Sequence, residues 1–468
     1  MFFRQVFDPD LAQYAYIIGC QRTGEAIVID PQRDVDRYIA IAAEEGLTIT
    51  SATETHIHAD FLSGTVELAS QHGARLFLSG EGTEEWRYHW ADDGPYDATL
   101  LKDGDTFHVG NIGLQVIHTP GHTPEHIAFL VTDHGGGADE PIGLASGDFV
   151  FVGALGRPDL LETAAGVSGA REPAARALYQ STKRFLELDD HVQVWPGHGA
   201  GSACGKALGS VPQSTVGYER RFNAGLSFAE ERGFIESILD GQPEPPLYFA
   251  RMKELNRRGI PVLGGLPQPK LFSVEDMVGH ATTAGSVVID TRSDRAAFAA
   301  GHIPGSIYAP LGINFAMVVG SYVDPEDDIY LLADAEGAEA AARILVRIGY
   351  DNVKGYAPPS TLLGSGVADA TTRRIDFSEL DPSPDTDTAT VLDVRGAAEY
   401  SGSHIPGALH IAYTRLAGRL DEVPMDRPVL VHCRSGNRAS FAVSFLEREG
   451  YDVTFVDGMY TSWPGLPT

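Results

Sequence analysis

One stretch of this chain occurs twice. VVIDTRSDRAAFAAGHIPGSIYAP at 287–310 returns, altered but alignable, as TVLDVRGAAEYSGSHIPGALHIAY at 390–413. A separation of about a hundred residues is that of two domains of ordinary size. Each copy opens on a short β-branched run, a strand signal, and ends in a helix followed by Gly-Tyr-Asp, in LVRIGYDNV and LEREGYDV. The tail is therefore two copies of one small α/β domain, with PPSTLLGSGVADATT and DPSPDTDTAT as loop or linker between them. We place the copies at 266–365 and 366–468, which leaves 1–265 for a first domain.

That first domain alternates β-branched runs with glycine turns and helical stretches. EAIVIDP reads as a strand ending in a turn, and VDRYIAIAAEEG as an amphipathic helix closed by Gly46. TITSATETHIHAD is then a strand that delivers histidines at its carboxyl end. GLQVIHTPGHTPEHIAFLV repeats the plan as strand, histidine-bearing loop and strand, and IGLASGDFVF and VQVWPGHGAG do so again. Four strand ends thus carry His or Asp into loops, where open α/β architectures place their chemistry. A helical region over roughly 214–240 and the proline-rich DGQPEPPLY close the domain near residue 265.

The charge balance excludes some partners. Against 35 Lys and Arg stand 64 Asp and Glu, a formal net charge of -29. Such a surface repels phosphate backbones and anionic lipid, so neither nucleic acid nor membrane is an expected partner. No stretch is long and apolar enough to span a bilayer, and the N-terminal MFFRQVFDPD is not expected to be a signal peptide. Cys20, Cys204 and Cys433 are too scattered for a disulfide framework, so a reducing, cytoplasmic compartment is expected. Cys20 follows an apolar strand and reads as packing.

The two C-terminal copies differ where chemistry would sit. The second has VLVHCRSGNRAS after its penultimate strand; the first has IYLLADAEGAEAA, with Asp334 in the place of Cys433 and no arginine in the loop after it. A strand, then Cys-x-x-x-x-Arg, then a helix sets the sulfur at a helix N-terminus in a loop of inward amides. Those amides and the helix dipole favour an anion, and Arg434 and Arg438 add positive charge; burial of a plain cysteine accounts for neither arginine. Together LDVR, EYSGSHIPGA and HCRSGNRA resemble the rhodanese family of sulfurtransferases. The resemblance implies that Cys433 carries a persulfide cradled by Ser435, Gly436 and Asn437, with Arg434 and Arg438 beside it. Protein phosphatases with a related loop are the rival, but theirs hold one residue more between Cys and Arg than the four found here. The smaller cradle suits sulfur better than phosphate. The middle domain resembles a rhodanese homology domain without its nucleophile, and a scaffold or docking role is expected of it.

In the first domain the loops offer His56, His58, Asp60, His122, Asp148 and His198, ligand-type residues each beside a glycine or a turn. His72, His89, His108, His118 and His126 lack that setting and read as structural or surface residues. THIHAD, TPGHT, SGD and PGH resemble the four motifs of the metallo-β-lactamase superfamily, over nearly all of 1–240. The resemblance implies an αββα sandwich with a metal between the sheet edges. Hydrolases of that superfamily, such as glyoxalase II, continue the first motif with a further histidine and hold a zinc pair. Here Phe61 stands at that position, which weakens a second metal position and points to a mononuclear site.

One metal held by two histidines and one carboxylate, with open positions left over, is the facial triad of non-haem iron oxygenases. TPGHTPEHI and GALGRPD resemble most the persulfide dioxygenases, close to glyoxalase II. Carried over residue by residue, that resemblance implies His56, His122 and Asp148 as ligands of one Fe(II). His58, Asp60 and His198 would then orient ligands or hydrogen-bond bound water. Spacing alone does not separate iron from zinc. PGHGAGSACGK sets Cys204 six residues after His198, either near a thiol substrate at the mouth of the site or as an inert small residue in a tight loop.

The expected fold class is α/β: an N-terminal metallo-β-lactamase αββα sandwich followed by two rhodanese-like α/β domains. Sulfane sulfur is common to both halves. The resemblances imply a non-haem iron dioxygenase that converts a low-molecular-weight thiol persulfide and O2 to sulfite and thiol. Sulfur transfer at Cys433 would make or consume thiosulfate, helped by the tether between the two sites. The alternatives are a zinc-dependent thioester hydrolase of the glyoxalase II type with a regulatory rhodanese portion, and a sulfide- or redox-sensing protein that only binds. No motif marks the thiol carrier, whether glutathione, coenzyme A or another. Oligomeric state stays open, the middle domain being the interface that a homo-oligomer would use.

Overall fold

The structure, a computed structural model, describes every residue except 93, 164–167, 243, 363–364, 382–383, 385–387 and 467–468. It divides into two units, Met1–Gly265 with Arg347–Gly349, and Leu266–Val346 with Tyr350–Thr468. In the first unit, strands β1 (Phe2–Asp8), β2 (Gln13–Cys20), β3 (Glu25–Ile29), β4 (Thr48–Thr53), β5 (Arg75–Ser79) and β6 (Ala98–Leu101) form one sheet in that order. A second sheet runs from β7 (Thr106–Val109) through β8 (Ile112–His118) and β9 (Ile127–Asp133) to β10 (Gly143–Gly147). A separate pair, β11 (Val150–Phe151) and β12 (Ala154–Leu155), comes next in the chain. Then β13 (Gln193–Pro196) and β14 (Ser214–Thr215) complete the second sheet beyond β10.

Side-chain alternation along the strands explains the layering. On β2, Tyr14, Tyr16, Ile18 and Cys20 share one core with Leu114, Val116, Phe129 and Trp195 of the other sheet. Ala15 and Ile17 point the opposite way, onto Tyr38 and Ala42 of the helix Asp36–Glu44 and Leu68 of the helix Thr65–His72. The outer face of the second sheet, with Leu130, Leu144 and Val194, is covered by Ala175, Leu178 and Phe185 of the helix Arg171–Phe185. Each such burial contributes about 2 kcal/mol for a large side chain. The result is helix, sheet, sheet, helix, which is the αββα sandwich.

Gly46 ends the first helix with φ 69°, a left-handed conformation that glycine adopts without strain. The helical region expected over 214–240 consists of two helices, Val216–Phe222 and Glu231–Leu239. Asn223 ends the first of them: its side chain accepts from Gly225 N at 3.0 Å and donates to Ala154 O at 2.9 Å. Beyond the proline-rich run lies a further helix, Tyr248–Arg258, for which the sequence reading made no provision. Among the described residues no helix is long and apolar enough to cross a membrane.

The second unit holds two parallel five-stranded sheets of one topology. In the first, Lys270–Leu271, Val353–Ala357, Asp328–Leu332, Ser286–Asp290 and Ile307–Tyr308 lie side by side. In the second the order is Arg373–Asp376, Val453–Asp457, Val429–His432, Thr390–Asp393 and Leu409–His410. The repeat extends to single hydrogen bonds. Arg292 donates to both oxygens of Asp290 and reaches Gly301 O at 2.9 Å; Arg395 treats Asp393 alike and reaches Ser403 O at 2.7 Å. The linker reading of 363–364 and of half of DPSPDTDTAT concerns residues outside those described.

Candidate functional site

The loops after β4, β8, β10 and β13 bring their ligand-type residues together. One ligand atom each of His56, His122 and Asp148 lies within 4.8 Å of the others, and all three residues are buried. The free nitrogen of each imidazole follows from its neighbours. Asp30 accepts from Thr55 N at 2.7 Å and from Thr55 Oγ1 at 2.9 Å. The Thr55 hydroxyl proton is thereby committed to Asp30, so at 2.9 Å the hydroxyl oxygen accepts from His56 Nδ1, and Nε2 keeps its lone pair. His122 Nδ1 donates to the carbonyl of Arg157 at 2.9 Å, which again leaves Nε2 free. That nitrogen stands 3.5 Å from Asp148 Oδ2. Burial, reinforced at His56 by the surrounding imidazoles, holds both histidines below their usual pKa, so they are neutral, as metal ligands must be.

Asp148 supplies the charge. Its Oδ1 accepts from His198 Nδ1 at 2.7 Å, and its backbone N–H donates to His126 Nε2 at 3.1 Å. Oδ2 is buried with no hydrogen-bond partner. Burial by itself would raise the Asp148 pKa, but the charge and hydrogen bond of His198 outweigh it and keep the group ionised. An unpartnered buried carboxylate oxygen facing two imidazole lone pairs lacks only a cation, because such an oxygen otherwise costs about 1–3 kcal/mol or more. The residues therefore fit a single metal ion.

The neighbouring groups divide into those that orient these three and those that stand aside. His58 turns its Nε2 to Asp30 Oδ1 at 3.1 Å; against its burial, Asp30 raises its pKa to about 8, so it pairs as a cation. The Phe61 ring is fully buried and stacks on His58 at 4.3 Å between centroids. His198 joins Asp148 to Asp60, its Nε2 lying 2.8 Å from Asp60 Oδ2. Asp60, His198 and Cys204 form a second buried group of ligand atoms within 4.8 Å of one another. Cys204 is thus interior, and its thiol pKa is pushed up by burial and by the two carboxylates. His126, read from the sequence as a structural or surface residue, stands within the site: it supports Asp148 directly and stacks on His56 at 5.0 Å.

Asp30, Arg157 and Asn256 hold this arrangement and escaped the sequence reading. Arg157 pairs with Asp159 at 2.6 and 2.8 Å and donates to Ala203 O at 3.0 Å, tying GALGRPD to the Cys204 loop. Asn256, on the unforeseen helix, donates to His58 O at 2.8 Å and Phe61 O at 2.7 Å. Asp30 has one available signal: like the motif residues, it is an acid at a strand end. A Cβ on Gly156 would lie 1.7 Å from Asp148 O. Gly156→Ala is therefore expected to cost about 1–3 kcal/mol in urea denaturation and to lower metal content. An unchanged midpoint with full metal loading would mean that the loop yields freely.

The second cluster surrounds Cys433. The strand Val429–His432 ends at it, and the helix Asn437–Arg448 begins four residues later. Cys433 is 1% exposed, and its Sγ accepts from Gly436 N at 3.2 Å. Gly436 has φ 91°, and a Cβ there would meet Asp457 Oδ1 at 2.2 Å, so glycine is required twice over. Ser435 and Asn437 flank it in the loop. Of the two arginines expected beside the sulfur, Arg438 interacts electrostatically with Cys433 while also holding an acidic partner. Arg438 is paired through both Nη atoms with Glu399, at 2.9 Å for Nη2, and Arg434 is exposed. In the middle domain Asp334 Oδ1 accepts from Gly337 N at 2.8 Å, the bond that Cys433 makes in the other copy.

Residues 8–198 match the metallo-beta-lactamase superfamily, and 273–357 and 377–465 each match the rhodanese-like domain. A crystal structure of a metallo-beta-lactamase from Staphylococcus aureus subsp. aureus COL is similar over 76% of this chain and 98% of its own, with 42% identity and a TM-score of 0.67. A beta-lactamase hydrolase-like protein of Xylella fastidiosa (strain 9a5c) is 29% identical over 294 residues, 56% of this chain. The match spans 61% of that relative's own length. The mitochondrial persulfide dioxygenase ETHE1 of Bos taurus is 26% identical over 231 residues, covering 49% of this chain and 77% of its own.

Proposed function

Since this chain belongs to the metallo-beta-lactamase superfamily and carries two rhodanese-like domains behind that fold, we propose that it is a persulfide dioxygenase joined to a sulfurtransferase. The observation that carries the first part is the ligand set itself: two neutral imidazoles and one ionised carboxylate, His56, His122 and Asp148. A bound ferrous ion on such a set supplies open coordination positions for a sulfur anion and dioxygen together. The overall reaction balances as RSS⁻ + O2 + H2O → RSH + SO3²⁻ + H⁺. Thr55 and the Arg157 carbonyl fix the two imidazoles in one tautomer each, and His126 and His198 fix the carboxylate. Phe61 and the enclosing loops keep bulk water from the cluster. Similarity to the bovine persulfide dioxygenase supports the same reading.

Cys433 performs the second part. Its thiolate takes the outer sulfur of a persulfide and releases the thiol; sulfite then removes that sulfur as thiosulfate and regenerates the thiolate. The Gly436 amide stabilises the thiolate that each half of the cycle starts from or restores. Each step is reversible, so thiosulfate is made or consumed according to supply.

A dinuclear zinc hydrolase is the second reading, and Asp60, His198 and Cys204 favour it by offering a second ligand set. Against it, both ring nitrogens of His198 are already bonded to carboxylates, and Phe61 contributes no ligand. The test is oxygen uptake with synthetic persulfides of glutathione and coenzyme A. We expect uptake matched by sulfite; thioester hydrolysis without uptake would establish the hydrolase instead.

A further inference from the structure

We propose that the cysteine-less middle domain is a working part of the sulfur-transfer site, through Arg295 as a positioning residue for the Cys433 loop. This rests on the reading of Cys433 as the nucleophile. Arg295 opens the helix Arg295–Ala300 of the middle domain, where the equivalent turn of the other copy carries Ala397 and Ala398. Its guanidinium crosses to the catalytic copy and makes three bonds there. Nη1 donates to Asn437 Oδ1 at 2.6 Å, Nη2 to Ser435 O at 3.0 Å, and Nε to Asp457 Oδ1 at 3.1 Å.

The bond to Ser435 O decides the matter. That oxygen belongs to the same peptide unit as Gly436 N–H, the amide that donates to Cys433 Sγ at 3.2 Å. A peptide is planar, so gripping its oxygen aims its N–H. A charged donor on the oxygen also polarises the unit and strengthens the bond at the other end. Asn437 and Asp457 hold the guanidinium in register: Asp457 Oδ1 also accepts from Gly458 N at 2.8 Å. A Cβ on Gly436 would come within 3.0 Å of Arg295 Nε, so the loop and the fork are in direct contact. The middle domain has no nucleophile, its own loop being closed by Asp334, yet it supplies the group that orients the other domain's amide.

The same two domains are joined elsewhere by Arg448, which donates to Ala281 O at 2.7 Å, Gly305 O at 2.8 Å and Ser286 O at 2.9 Å without touching the loop. Arg448→Ala is thus the control for a merely structural tether. In the full chain, Arg295→Ala should slow alkylation of Cys433 by iodoacetamide, followed by peptide mass, about tenfold or more. The kcat for sulfur transfer from thiosulfate to cyanide should fall alike. Arg295→Lys, which restores the charge but not the fork, should recover only part. Arg448→Ala should leave both rates within about twofold. Unchanged alkylation in Arg295→Ala, or an equal fall in Arg448→Ala, would overturn the proposal. If alkylation responds as expected while the parent chain transfers no sulfur, the positioning role stands and the sulfurtransferase reading fails.

Discussion

Replacing Asp148 by alanine is expected to give a chain that purifies with less than about a tenth of its metal and loses persulfide-dependent oxygen uptake by at least about a hundredfold. Removal of a residue that merely orients a ligand costs about 10–100-fold in affinity, and a ligand should cost more. Among the described residues, Asp148 is the one carboxylate of its ligand group and supplies the negative charge for a divalent ion. Its loss also strips His198 of the bond at 2.7 Å and leaves that ring to Asp60 alone. Asp148→Asn, which keeps the shape and a neutral oxygen, should fall between the two. Metal analysis and an oxygen electrode report the outcome; stoichiometric iron in Asp148→Ala would remove this residue from the ligand set.

The second large effect belongs to Cys433→Ser. Serine is nearly isosteric and can still accept the Gly436 amide, so folding should be unaffected. A hydroxyl neither ionises at neutral pH nor carries sulfane sulfur, so sulfur transfer from thiosulfate should drop below about 1% of the parent rate. Oxygen uptake with a persulfide should stay within about twofold, because no ligand of the first cluster is touched. Equal loss of both activities would contradict two separate sites.

The repeat was legible in the chain itself, and the sandwich was legible through the resemblance that the strand-end motifs carry. The duplicated segment declares itself by comparison with its own copy. The motif residues were legible because His and Asp gathered at four strand ends are rare. What held them was not. Arg157 acts on His122 through its carbonyl, an atom every residue possesses. Asn256 reaches the first motif across 198 residues of sequence, from a helix hidden behind prolines. Arg438 reads as a free charge beside the cysteine, and that Glu399, 39 residues earlier, is its ion-pair partner is visible only in the fold. Arg295 looks like one more surface arginine, because its targets lie 140 to 162 residues away. Hydrogen bonds between distant segments leave no local signature, and they are what orients both sites.

Metal content after anaerobic purification tests the account most directly. About one iron per chain and little zinc is expected on the proposed reading, since the first cluster offers two imidazoles and one ionised carboxylate. A zinc pair filling both the triad and the Asp60–His198–Cys204 group would contradict it.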